Sequence, residues 1–118
     1  MLKNNTKKAK QNAWEVIKYH LTEDGNDAEA VEKLKTNIKA APGFGTYQQA
    51  AALVDGGFFS CYYYDCRKDL QNILEETDEE AEKYSDSQVW NQYRHTMASA
   101  IVYSLEKYEK QGGGVLWN

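Results

Sequence analysis

Apolar residues in this chain recur at intervals of three and four through one stretch after another, and the strict alternation of a half-buried strand is absent. Only one proline, Pro42, interrupts the pattern. Such spacing puts apolar side chains along one face of a 3.6-residue helix, so it predicts an all-α fold, a single small bundle of about five helices. With 118 residues, 42% of them apolar and 27% charged, the chain can enclose one core without disulfides or metal. We therefore expect a single helical domain over 1–118, with flexible ends at 1–10 and 111–118.

The first helix carries Ala13, Trp14, Ile17 and Leu21 as its stripe and ends at the turn-forming Asp24, Gly25 and Asn26, after which Asp27 is the expected N-cap. The second turns Val31, Leu34 and Ile38 inward until Ala41-Pro42-Gly43-Phe44-Gly45 breaks it into a short mobile loop. Thr46 and Gln49 have the spacing of a capping box for a third helix bearing Tyr47, Ala50, Ala51 and Val54, which Gly56-Gly57 ends. The fourth is expected from Phe58, with Phe59, Tyr62, Tyr63, Cys66, Leu70, Ile73 and Leu74 on one side. Beyond Glu76 the chain reads as too acidic to bury. Ser85 to Ser87 then offer N-caps for a last helix bearing Trp90, Tyr93, Met97, Ala100, Ile101, Ser104, Leu105 and Tyr108.

Several function classes lose their footing on composition. No apolar run approaches the ~20 residues of a membrane span, so no membrane contact is expected. Met1 to Lys10 lacks the apolar core of a secretory signal, which makes the cytoplasm the expected location. Cys61 and Cys66 read as free thiols. The two histidines, His20 and His95, lie in distant segments without metal-ligand spacing, so neither a metal nor any other cofactor is expected. Gly43-Phe44-Gly45 lacks the strand and the third glycine of a phosphate loop. Asp65, Asp69 and His95 could form an acid–base set, but a hydrogen-bonded structural histidine is the simpler reading, and we expect no enzyme and no catalytic residue.

Charge is what remains. Met1 to Lys18 holds five lysines and one acid, a solvated basic arm, whereas Glu75 to Asp86 holds seven acids against Lys83 alone, a local −6 in a chain of net −4. Carboxylates at helical spacing can engage arginines that otherwise hold phosphates, so this edge suits the nucleic-acid-binding groove of a protein. Nine tyrosines, three consecutive at Tyr62, Tyr63 and Tyr64, add interface-prone surface, because three neighbours on a helix point three ways. The tail Gly112 to Asn118 carries Trp117 as either a fold-back residue or a docking anchor. The expected partner-binding residues are thus Tyr64, Asp65, Glu75, Glu76, Asp78, Glu79, Glu80, Glu82, Asp86 and Trp117. Ala52-Leu53-Val54-Asp55-Gly56 has the small-residue spacing of a helix-turn-helix, but the residues after it are aromatic and then acidic, which disfavours direct nucleic-acid binding.

From Gly56-Gly57-Phe58-Phe59 through Cys61-Tyr62-Tyr63-Tyr64-Asp65-Cys66 to Val89-Trp90-Asn91-Gln92-Tyr93-Arg94-His95-Thr96-Met97-Ala98 the chain resembles small helical proteins of phages and mobile elements in Gram-positive bacteria. The resemblance covers less than half of the chain and carries over no functional residue. It implies a setting, that of inhibitors or adaptors of host machinery, including anti-CRISPR proteins. The expectation is therefore a non-enzymatic protein-binding inhibitor or accessory factor, with a host nuclease as the concrete partner. The rival is a structural homodimer joined through Trp117 and the aromatic face of the fourth helix.

Overall fold

The computed structural model describes residues 6–59 and 63–111. Among them are six helices and no strand: α1 (Lys7–Leu21), α2 (Asp27–Ala40), α3 (Thr46–Asp55), α4 (Tyr63–Ile73), α5 (Asp78–Glu82) and α6 (Asp86–Gln111). The all-α class is as expected. The extra helix is α5, a short turn of helix within the acidic stretch. The start at Lys7 puts three residues of the expected basic arm, Lys7, Lys8 and Lys10, on a helix.

Local chemistry explains most boundaries. Thr6 Oγ1 accepts from the Ala9 N–H at 3.1 Å and starts α1. The cap of α2 is Asn26 rather than Asp27: Asn26 Oδ1 takes the Glu29 N–H at 2.9 Å. Asp27, one position inside the helix, is thereby released to accept from Trp14 Nε1 at 2.9 Å and from Lys18 Nζ at 3.2 Å. The Thr46 capping box does not form either. The chain enters α3 at Gly45 with φ +125°, a conformation closed to threonine, so glycine takes the cap position and Gln49 reaches back to the Ala41 carbonyl instead.

α3 and α4 end alike. Gly57 (φ +77°) donates to the Val54 carbonyl and Phe58 to the Leu53 carbonyl, the two bonds of a Schellman turn. Glu75 (φ +55°) donates to Asn72 and Glu76 to Gln71 in the same arrangement, with a carboxylate residue where glycine is usual. Among the described residues α4 runs from Tyr63, and Phe58 and Phe59 lie in the turn after α3, from which Phe59 is buried. At the start of α6, Ser85 Oγ accepts from the Gln88 N–H while Gln88 Oε1 accepts from the Ser85 N–H, a reciprocal cap.

The core gathers α1, α2, α3 and α4 around α6, while α5 packs on α4. Trp14, Ile17, Val31, Leu34, Val54, Phe59, Leu70, Ile73, Tyr93, Met97 and Ile101 are among its large members. Thr96, Met97, Ala98, Ala100, Ile101 and Ser104 are all buried, so the middle of α6 is enclosed on most sides, and small residues there let neighbouring backbones approach. A single stripe on this helix is thus too narrow a description. Cys66, Leu70 and Ile73 of α4, with Leu74 just beyond it, face the same core, which leaves the described part of that face unavailable for joining two copies. No helix among the described residues is long and apolar enough to cross a membrane.

Candidate protein-binding edge

The acidic stretch is a folded corner between α4 and α6, and one cation organises it. Arg67 on α4 donates to the Ala81 carbonyl at 3.1 Å, the Tyr84 carbonyl at 3.3 Å and Asp86 Oδ1 at 2.8 Å. One turn further along α4, Gln71 Nε2 donates to the Glu76 carbonyl at 3.2 Å and to Asp78 Oδ1 at 2.7 Å. Thr77 and Glu80 cap α5 reciprocally, at 3.2 and 3.0 Å. The backbone under the carboxylates is therefore held from α4 by side chains that reach the carbonyls a helix end leaves open.

This frame divides the seven acids. Glu75, Asp78, Glu79, Glu82 and Asp86 are exposed, with the Asp86 side chain 80% exposed even as it pairs with Arg67. Glu80 is half-buried through its capping role. Glu76 corrects the expectation outright. It is buried, and its Oε2 accepts from the Tyr84 hydroxyl at 3.0 Å. The left-handed turn at Glu75 reverses the chain and points the next side chain inward, which helical phase alone cannot anticipate. Burial, with the hydrogen bond to Glu76 and the charges of Glu76 and Glu80 added, pushes the Tyr84 hydroxyl above its ordinary range. Tyr84 therefore stays a donor at any physiological pH.

Tyr64 and Asp65 fall in the first turn of α4, but their side chains, like the whole of Trp117, lie outside the described residues. The residues that sequence reasoning missed are Arg67 and Gln71. Their signal was a cation and an amide one turn apart, directly before an acidic run.

Elsewhere among the described residues, several polar groups are committed to one another. His95 Nδ1 lies 2.8 Å from the Tyr47 hydroxyl, with the rings 5.9 Å apart, and Arg94 donates to Asp55 at 2.7 Å. At the α1–α2 turn a cleft of about 560 Å³ is lined by Tyr19, His20, Glu23, Asp24 and Lys33, yet Lys33 is tied to the Leu21 carbonyl at 2.7 Å. Among the described residues no group of three or more His, Cys, Asp or Glu is placed to hold a metal ion. Cys66 is buried, and burial, reinforced by Asp69, raises its thiol to about 12, so it is not a nucleophile at neutral pH. No protein-family model, curated protein or solved structure matches this chain.

Proposed function

We propose that the chain is a non-enzymatic binding factor that acts stoichiometrically, laying its acidic edge into a cationic, nucleic-acid-binding groove of another protein. The observation that supports this most directly is the pinned backbone beneath five exposed carboxylates, Glu75, Asp78, Glu79, Glu82 and Asp86. A backbone already fixed in place loses little freedom on binding, and bidentate arginine contacts to the carboxylates it carries reward that rigidity. A groove evolved for phosphates offers the complementary charge, and long-range attraction speeds encounter. In the setting implied by the resemblance above, the partner is a host defence nuclease, and the effect is inhibition of an anti-CRISPR kind.

The experiment is an inhibition assay against such nucleases, reading both nucleic-acid binding and cleavage. Wild type blocks both, and the block weakens as salt rises. The charge-reversed Glu79→Lys/Glu82→Lys protein relieves it. These two positions are chosen because both are exposed and neither takes part in the Arg67, Gln71 or Thr77 contacts, so the corner itself survives. Undiminished inhibition by the reversed protein removes the acidic edge from the account.

A further inference from the structure

Among the described residues, the most exposed large apolar side chain stands apart from the acidic edge. Phe44, in the α2–α3 turn, is 98% exposed. Its loop is built to hold it there. Gly43 and Gly45 on either side have φ of +138° and +125°, and a Cβ on Gly43 would lie 2.8 Å from Gln48 Cβ. The Phe44 N–H donates to Gln48 Oε1 at 2.8 Å, and Gln49 Nε2 closes the base of the loop on the Ala41 carbonyl at 3.2 Å.

The loop and α3 as far as Val54 carry no charge. Not one acidic or basic residue occurs in the 15 positions from Ala40 to Val54, and residues 42–48 are exposed without exception. Tyr47, 39% exposed, lies against His95, and Asn91, one turn earlier on the same face of α6, is exposed and neutral. An aromatic, charge-poor patch has the composition of the centre of a protein interface rather than its rim.

We propose that this face pairs with the same face of a second copy of the chain, giving a two-fold dimer with Phe44 near the axis. Charge decides the occupant. In a two-fold contact each patch meets itself, so any charge near the axis faces its own like. The acidic edge cannot self-associate on those terms, whereas the Phe44 face meets its twin without repulsion. A loop already fixed by hydrogen bonds loses little freedom on docking. A bilayer is the poorer occupant, because the tip is a single aromatic ring with no flanking cluster of cations. The dimer does not depend on the acidic edge, and it would present two such edges at once.

Sedimentation velocity on the full chain at pH 8, run as a concentration series, tests this. Wild type shifts from monomer to dimer as concentration rises, and the dimer persists in high salt. Phe44→Ser raises the dimer dissociation constant roughly tenfold or more, as loss of a central aromatic does. At concentrations where both proteins are monomeric its thermal midpoint stays that of wild type, because a ring 98% in water adds nothing to the monomer core, so misfolding does not confuse the result. Phe44→Trp keeps the dimer. A wild type that stays monomeric throughout overturns the proposal, also when it binds phosphatidylcholine vesicles or another protein through Phe44. So does a dimer untouched by Phe44→Ser, or one lost only when residues 115–118 are removed.

Discussion

Asp27 is the residue on which the two N-terminal helices depend most. Its carboxylate takes the indole N–H of the fully buried Trp14 and the ammonium of Lys18, which also meets Glu15 at 3.1 Å. Burial alone would lower the Lys18 pKa, but the hydrogen bonds and charges of Glu15 and Asp27 outweigh it, and the net shift is upward. A cation whose folded pKa lies above its unfolded value stabilises fully below the unfolded pKa. That contribution is lost only as pH rises through the folded one, so it is intact at neutral pH. Asp27→Ala should cost about 1–3 kcal/mol in urea unfolding, since it strands a buried indole donor, and Asp27→Asn should fall between it and wild type. Glu75 predicts the opposite sign. Its left-handed φ of +55° favours glycine, so Glu75→Gly should raise stability by up to ~1 kcal/mol, while Glu75→Val lowers it. Cys66 governs the alkaline limb. Its thiol is held near 12 when folded but ionises freely when unfolded, so between pH ~9 and about 12 the unfolded state holds fewer protons. Stability then falls with pH by at most ~1.4 kcal/mol per unit. Cys66→Ala should flatten that limb relative to wild type, a difference in which the tyrosine and lysine contributions cancel.

Among the elements, α5 is too short to stand alone, and its persistence rests on what α4 lends it. Arg67→Ala removes three donors from Ala81, Tyr84 and Asp86, and should cost roughly 2–3 kcal/mol while amide protection falls in α5 and the first turn of α6 but not in α2. Arg67→Lys restores the charge without the fork and should rescue only part. Retained protection of α5 in Arg67→Ala would mean its capping box suffices. α6 carries the other element-scale prediction. Ala98 and Ala100 are fully buried, so Leu at either site should cost about 1–3 kcal/mol through overpacking, measured as a lower urea midpoint with unchanged slope.

At the scale of the molecule, two surfaces of different chemistry are mounted on one core. Because Glu79, Glu82 and Phe44 all lie outside that core, reversing the two acids or replacing Phe44 should leave the stability of the monomer, measured at dilution, within about 0.5 kcal/mol of wild type. The surfaces should also be separable in function. Acid reversal alters the salt dependence of partner binding and leaves self-association unchanged, and Phe44→Ser does the reverse, which sedimentation and inhibition assays on both variants would check.

Periodicity was enough to establish the helical class and the inward stripe of Trp14, Ile17, Val31, Leu34, Leu70, Ile73, Met97 and Ile101, because each depends only on the pattern within a few turns of chain. What tertiary contacts alone decided is finer: that Asn26 caps so that Asp27 can serve Trp14, that Glu76 turns inward to Tyr84, that Arg67 holds α5, and that α6 is enclosed on most sides. The division has one cause. A side chain's period along a helix is local, whereas the partner it meets sits up to dozens of residues away and is known only once a left-handed turn or a crossing helix has brought the two together.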